Sequence, residues 1–245
     1  MKFSYSAVWE DMLGLIRAHA RLLAAIAGVF IFLPALLVAY LLPEPEMADP
    51  SRIFQVMIEH YRTVWPWLVL QSLASMVGAA AMLRLVFAPG TSVGGALAFG
   101  LMLLPFYFLL SLLSSLIIGL GFILLVVPGL YLIGRLVPAP AVMVAENRRN
   151  PVEAIGRSFE ITKGHGWAVL GLVLLVAIVA GIVIGVAGAL VGIVFILAAG
   201  QELGKLLTII VTSALSAGMA TLLLMLYAAI YRGLTGREKV ASAFE

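Results

Sequence analysis

Five basic residues in the middle of the chain have side chains that could bind an anion. Arg135 lies inside the apolar run VVPGLYLIGRLVPAPA, and four more follow it: Arg148, Arg149, Arg157 and Lys163. Guanidinium and ammonium groups bind phosphate or carboxylate through charge-assisted hydrogen bonds, and the planar fork of arginine matches both anions. We therefore treat these five residues as candidate ligands of an anionic lipid headgroup.

Arg135 itself has three interpretations. At the centre of a membrane-spanning helix an arginine costs about 2.5–3.5 kcal/mol on insertion scales. We place Arg135 past the centre, towards the cytoplasmic surface, where its guanidinium can reach the headgroup region. There it acts only as a topology signal, binds a lipid phosphate, or pairs with the carboxylate of Glu146. Pro138 and Pro140 interrupt the helix that would align Arg135 with Glu146, which favours the phosphate.

The chain has no sequence pattern that is typical of a catalytic or metal site. HExxH, G-x-S-x-G and Walker A patterns are absent, and the lack of cysteine excludes disulfides and thiolate ligands. His19, His60 and His165 each lack a second ligand at metal spacing. We expect a protein that is not an enzyme, with no catalytic residue, no cofactor and no bound metal.

The composition places these residues in a membrane protein. Of the 245 residues, 63% are hydrophobic and only 11% are charged, whereas ordinary soluble domains carry about 25% charged residues. So much apolar surface cannot be covered in a water-soluble globule of this length. We expect an all-α integral membrane protein that forms a single membrane domain over residues 1–245.

Apolar segments long enough to cross a bilayer predict a bundle of about six transmembrane helices. They lie at residues 21–42, 64–87, 95–118, 121–142, 167–198 and 204–231. The third and fourth segments form one apolar block, and we expect a tight hairpin at Gly119 and Gly121. The Pro128–Gly129 pair predicts a kink in the fourth helix, and Pro138 and Pro140 predict a weakened helix near its end.

Amphipathic helices are predicted on the cytoplasmic surface before the first and fifth spans, at residues 5–20 and 151–163. The first has an apolar stripe: Trp9, Leu13, Ile16 and Ala20.

The second surface helix has clear start and stop signals. Asn150 is a suitable N-cap, Pro151 suits the first turn, Glu153 stands where a capping box requires a carboxylate, and Gly164 ends the helix. One face of it is expected to be apolar: Val152, Ile155, Phe159 and Thr162.

The distribution of lysine and arginine predicts the orientation. Three basic residues fall on one side of the predicted bundle: Arg52, Arg62 and Lys205. Twelve fall on the other side: Lys2, Arg17, Arg21, Arg84, Arg135, Arg148, Arg149, Arg157, Lys163, Arg232, Arg237 and Lys239. Both termini and the connection 143–166 are therefore expected in the cytoplasm.

Small residues share one face of the fifth predicted span: Gly181, Gly185, Gly188 and Gly192. This spacing favours close packing of helix backbones, and a substrate path is the alternative. Serines and threonines inside the spans are expected to bond across helices or to their own carbonyls, although they could instead line a cavity. No aspartate, glutamate or histidine lies in the middle of a span, which argues against proton-coupled transport.

The run from Val126 to Leu170 resembles the membrane-domain family of glycerophosphoryl diester phosphodiesterases and related uncharacterised six-helix inner-membrane proteins. The family pattern falls on Pro128, Gly129, Arg135, Glu146, Glu153, Ala154, Arg157, Ser158, Thr162, Lys163 and Gly164. The resemblance implies a bacterial-type inner membrane and a connection with phospholipid. Some relatives are fused to a soluble phosphodiesterase domain that this chain lacks, so hydrolytic activity is not carried over.

We expect a non-catalytic membrane protein that binds or helps to move an amphiphilic substrate, a lipid in the first place. A structural or regulatory subunit that docks a membrane or cytoplasmic partner protein is the alternative, and an autonomous transporter comes third. Membrane lipids are the expected partners. Nucleic acid is not expected, because the cytoplasmic topology already explains the basic residues.

Overall fold

The structure, a computed structural model, describes the backbone of residues 3–42 and 53–242 and the side chains as far as residue 236. Within these ranges the chain is helical, with no strand, so the predicted all-α class is confirmed. The helices are α1 (Tyr5–Ala27), α2 (Leu33–Leu41), α3 (Ile53–Phe87), α4 (Val93–Leu124), α5 (Val126–Leu136), α6 (Ala139–Ala145), α7 (Pro151–Ile161) and α8 (Gly166–Ser242).

Five helical segments among the described residues are long and apolar enough to cross a membrane. They are Tyr5–Leu41, Ile53–Phe87, Val93–Leu124, Val126–Ala145 and Gly166–Gly236. The last is long enough to cross twice and reverses at Gly200, whose φ of 78° and ψ of 177° are a conformation that is essentially restricted to glycine. Five to six helices of this kind agree with the predicted bundle, and Gly200 falls between its fifth and sixth spans.

The two halves of α8 pack as an antiparallel hairpin. Built Cβ atoms on Gly188 and Gly192 would lie 3.1 and 3.2 Å from the methyl carbons of Thr212 and Thr208, and each of these pairs is equidistant from Gly200. The threonine hydroxyls donate to carbonyls one turn back on their own helix, at 2.7 Å for Thr208 and 2.8 Å for Thr212. Their methyl groups are therefore free to fill the space beside the glycines.

The predicted glycine stripe is divided by this packing. Gly188 and Gly192 are buried in the hairpin, whereas Gly181 and Gly185 are exposed and have open space where a Cβ would stand. Only the half of the stripe that is nearer to the Gly200 turn supports a close helix contact.

The first helix differs from the prediction of a separate surface helix at residues 5–20. A π-helical turn, Gly28–Phe32, joins α1 to α2, so the helix is continuous from Tyr5 to Leu41. The predicted apolar stripe is divided: Trp9 is 41% exposed, whereas Leu13 and Ile16 are partly buried beside Val8, Met12 and Leu15. The reason is a long-range contact, because α1 packs against the end of α8.

The predicted hairpin at Gly119 and Gly121 is wrong as well. Helix α4 continues through both glycines, and the chain turns at one extended residue, Leu125, with φ −165° and ψ 156°. A Cβ on Gly121 would lie 3.0 Å from Cα of Gly129, so these glycines allow α4 and α5 to approach closely. Glycine here serves helix packing and does not break the helix.

The prolines of the fourth predicted span lie at the starts of helices. Pro128 lies in the first turn of α5, where its missing N–H costs no helical hydrogen bond, so the predicted kink at Pro128 is absent. Pro138 is the N-cap of α6 and Pro140 lies in its first turn. The predicted weakening near these two prolines is confirmed, since α5 ends at Leu136 and α6 starts anew at Ala139.

Helix α7 matches the second predicted surface helix. The backbone N–H of Val152 donates to Oδ1 of Asn150 at 3.0 Å, and Gly164 follows the helix with a φ of 77°. The buried face contains Ala154, Ile155, Ser158 and Ile161. The sequence pattern placed Val152 on this face, but its side chain is 65% exposed and lies outside it.

The buried core is concentrated near one end of the bundle. Its largest enclosed side chains include Met12 of α1, Met82 of α3, Met143 of α6 and Met225 of α8. Contacts between distant parts of the chain mark this end, as between the rings of Phe87 and Tyr231, 5.4 Å apart, and between Asp11 and Arg232, 3.4 Å apart. We call it the basic end, because it carries α7 and most of the described lysines and arginines.

The α8 hairpin provides a matched pair of variants. Gly188→Leu places a side chain against Thr212 and should cost about 1–3 kcal/mol of stability, as overpacking does. Gly185→Leu extends into open space on the same helix and should change the stability by less than about 0.5 kcal/mol. Thermal unfolding in detergent measures both, and equal melting temperatures for the two variants would contradict the hairpin register.

Candidate functional site

Helix α7 covers the basic end and is held there by polar groups at both of its ends. Its buried face packs on α4 and α6. Arg135, at the end of α5, contacts the C-terminal turn of α7, and Glu146, in the loop before α7, contacts its exposed side. The first of these contacts is buried and the second is partly exposed.

Arg135 and α7 form a reciprocal pair of hydrogen bonds. Nη2 of Arg135 donates to the carbonyl of Phe159 at 2.5 Å, and Oγ of Ser158 donates to the carbonyl of Arg135 at 2.6 Å. The guanidinium also lies 4.9 Å from the ring centre of Phe159. A cation is favourable there, because the last carbonyls of a helix carry partial negative charge. We call Arg135, Ser158 and Phe159 the latch.

The latch corrects the prediction for Arg135. The side chain is only 8% exposed, so it is enclosed by the packing of α7. Its guanidinium bonds a backbone carbonyl, and pairing with Glu146 is wrong. Since Pro138 ends α5 soon after Arg135, the chain can fold α7 back over the guanidinium.

The guanidinium retains an unused donor. Nε of Arg135 is buried and has no hydrogen-bond partner, which is true of no other buried side-chain nitrogen or oxygen in the described part of the chain. No carboxylate among the described residues pairs with this cation. Burying a charge without a counter-charge is costly, and one carbonyl and two aromatic rings compensate for it only in part.

Glu146 is the centre of the second contact, the carboxylate cluster of Glu146, Arg148, Arg157 and Tyr231. Nε of Arg148 lies 2.7 Å and Nε of Arg157 lies 3.3 Å from the carboxylate oxygens. The hydroxyl of Tyr231 donates to the same carboxylate at 3.2 Å. Arg148 also reaches Glu153 at 3.4 Å, and Arg157 reaches Glu160 at 3.2 Å.

Burial alone would raise the pKa of the Glu146 carboxyl. The hydrogen bonds from Arg148, Arg157 and Tyr231 favour the ionised form and outweigh burial, so the pKa lies below its ordinary value of 4.5. Glu146 is therefore a permanent anion at neutral pH, and its role is to hold the loop 146–150 and α7 against the end of α8.

The five candidate ligands thus fall into two groups. Arg148 and Arg157 are already paired with carboxylates. Arg135, Arg149 and Lys163 have no carboxylate partner within the described residues, and the last two are exposed. Two motif carboxylates, Glu146 and Glu153, pair with these arginines. The motif hydroxyl of Ser158 donates to the backbone carbonyl of Arg135. Gly164 lies in the turn between α7 and α8.

The turn from α7 to α8 brings α8 against Arg135. Gly134 lies against the carbonyl of Gly166, and a Cβ on Gly166 would lie 2.9 Å from Cδ of Arg135. The rings of Tyr131 and Trp167 lie beside this contact, with centres 5.5 Å apart. Sequence reasoning missed Gly134 and Gly166, although paired small residues next to an arginine are a usable signal.

Two further participants were missed for a different reason. Phe159 acts through its backbone carbonyl, which any residue possesses. Tyr231 lies far along the chain from Glu146 and meets it only because α8 ends beside the loop before α7. No local pattern of the sequence indicates either contact.

A second candidate site is a groove of about 390 Å³ between α3 and α4. Its lining is apolar apart from three serines of the predicted spans, Ser72, Ser111 and Ser115. For these three serines the structure agrees with the alternative that hydroxyl groups inside the predicted spans line a cavity. Ser75 instead donates to the carbonyl of Phe30 across helices at 3.4 Å.

Comparison with known proteins does not assign this chain to a family. The chain matches no family model, no curated protein and no solved structure. The resemblance to the phosphodiesterase membrane-domain family stays a prediction.

The carboxylate cluster predicts an acid-dependent stability. Glu146→Gln removes the anion that orients Arg148 and Arg157, and it should cost about 1–2 kcal/mol at pH 7 after allowance for solvent screening. Because the folded pKa lies below 4.5, the contribution of Glu146 is complete above 4.5 and is lost as the pH falls through the lower folded value. The difference in melting temperature between wild type and variant should therefore narrow as the pH falls below 4.5.

Glu160→Gln is the matched control, because Glu160 also pairs with Arg157 but is 68% exposed. It should change the melting temperature little at any pH. A difference between Glu146→Gln and wild type that stays constant through the acid range would contradict the assignment.

Proposed function

We propose that this chain is a multi-pass integral membrane protein that binds an anionic amphiphile, a phospholipid in the first place, without catalysing a reaction on it. The observation that carries the proposal is the imbalance of charge at the basic end. Arg135, Arg149 and Lys163 lack a carboxylate partner among the described residues, in contrast to Arg148 and Arg157. An anionic headgroup supplies the missing negative charge, and exposed apolar helices supply the contact with acyl chains.

Aromatic residues support an interfacial position for these cations. Trp167 is 54% exposed at the start of α8, beside Tyr131 and close to Arg135. Tryptophan and tyrosine are enriched at membrane–water interfaces, where lipid phosphates lie. The basic end then lies at the level of the headgroups.

We propose that the basic end faces the cytoplasm and that the membrane is a bacterial-type inner membrane. The unequal distribution of lysine and arginine supports the orientation. The cytoplasmic leaflet carries a negative surface potential, which attracts basic segments. The family resemblance of residues 126–170 supports the same membrane and a phospholipid ligand.

Docking of a partner protein is the second candidate function. Val152 is 65% exposed on the outer face of α7, and Gly156 has open space around it. An apolar side chain beside a bare helix surface is suited to contact with another helix. In this function α7 is the docking element and the latch only positions it.

Orientation can be tested by labelling single cysteines, since the chain has none of its own. A cysteine at Val152 should be protected from an impermeant thiol reagent in intact cells and should react after permeabilisation. A cysteine at Phe54, which is 76% exposed at the opposite end, should react at once. The reverse pattern would contradict the proposed orientation.

Lipid preference tests the function itself. The purified chain should retain phosphatidylglycerol over phosphatidylcholine when it is equilibrated with mixed nanodiscs and analysed by native mass spectrometry. Arg149→Gln with Lys163→Gln should reduce this preference several-fold. Arg17→Gln with Arg21→Gln removes the same charge from exposed positions of α1 and is the matched control. An equal preference for both lipids in the wild type would contradict the proposal.

A further inference from the structure

We infer that one phosphate group binds between Arg135 and the first turn of α8, in a cradle of the Arg135 guanidinium and the backbone N–H groups of Gly166, Trp167 and Ala168. The inference rests on the proposed function and specifies its site. The ligand chemistry is a phosphate ester or phosphate ion, and a lipid headgroup and a soluble phosphate are the two possible sources.

The first observation is the unused donor of a buried cation. Arg135 is 8% exposed and its Nε has no acceptor, although an arginine fork is well suited to bidentate binding of phosphate. The side chain extends along the start of α8: Cδ and Cγ of Arg135 lie 2.9 and 3.4 Å from a Cβ built on Gly166. Cδ, the atom that carries Nε, therefore lies beside the first residue of that helix.

The second observation is the open start of α8. The N–H of Val169 donates to the carbonyl of His165 at 2.9 Å, so the helical hydrogen bonds begin there. Within the described residues the N–H groups of Gly166, Trp167 and Ala168 have no acceptor. These free donors and the positive end of the helix dipole favour a bound anion.

Three other helices of the chain close their first turn with a side chain, whereas α2, α5 and α6 have no such cap. Ser4, Ser92 and Asn150 accept hydrogen bonds from the first turns of α1, α4 and α7. His165 precedes α8, and its Nδ1 lies 3.1 Å from the carbonyl oxygen of Lys163.

The two positive features would repel each other without an anion. Gly134 and Gly166 bring α5 and the start of α8 into contact, because a Cβ on either residue would collide with the other helix. The chain thus places a buried guanidinium next to a positive helix end, and among the described residues a carbonyl of α7 and the rings of Tyr131 and Phe159 compensate the guanidinium in part. A phosphate would satisfy Arg135 and the α8 donors together.

The wild-type chain provides the first test. With ¹⁵N-labelled protein in nanodiscs of a phosphate-free galactolipid, added phosphatidylglycerol should shift the side-chain Nε–H resonance of Arg135 and the amide resonances of Trp167 and Ala168. Inorganic phosphate is the soluble arm of the same titration. A shift with lipid at far lower concentration than with inorganic phosphate identifies the headgroup as the source.

Variants provide the second test. Arg135→Lys keeps the charge but loses the fork, and it should weaken phosphatidylglycerol binding about tenfold or more. Arg84→Lys is the matched control, since Arg84 stacks on the ring of Phe99 at 4.6 Å, outside the cradle, and it should bind like wild type. The Nε titration of the wild type decides the question if Arg135→Lys fails to fold.

The outcomes separate the cradle from the proposed function. If phosphatidylglycerol binds but leaves the three resonances unchanged, or binds Arg135→Lys as it binds wild type, the cradle is overturned and lipid binding stands. If inorganic phosphate produces the shifts and lipid does not, the cradle stands and the lipid function is overturned. If no arm binds, both are overturned.

Discussion

The reciprocal hydrogen bonds between Arg135 and α7 fix the arrangement of the basic end. The Arg135 guanidinium bonds the carbonyl of Phe159, and the Ser158 hydroxyl bonds the carbonyl of Arg135. In apolar surroundings each of these groups would be expensive to leave unpaired. The end of α5 and the end of α7 therefore satisfy one another, and the turn into α8 begins where α7 ends.

Two kinds of electrostatic contact hold α7, and they differ in how much positive charge remains without a counter-charge. The carboxylate cluster is balanced: Glu146 faces Arg148 and Arg157, and Glu153 and Glu160 supply further negative charge. The latch has no carboxylate, since the guanidinium is compensated by dipoles and rings alone. The acidic residues thus neutralise the outer side of α7 and leave net positive charge beside α8.

Local signals in the sequence predicted the helices well and their continuity poorly. The capping residue Asn150 and the glycine after α7 were sufficient to place that helix. Gly119 and Gly121 were read as a turn, yet Gly121 serves contact with α5. The packing of α1 on the end of α8 was not predicted, because the two segments are distant in sequence. The partner of Arg135 is a backbone carbonyl, which leaves no mark in the residue pattern.

Glycine has three separate uses in this chain, and only one of them depends on backbone freedom. At Gly200 the positive φ allows the reversal of α8. At Gly188 and Gly192 the missing side chain admits threonine methyls from the facing half of the hairpin. At Gly134 and Gly166 it lets two backbones meet beside a buried cation. A side chain at this last contact would separate Arg135 from α8, so the small residues keep positive charge concentrated where the two helices join.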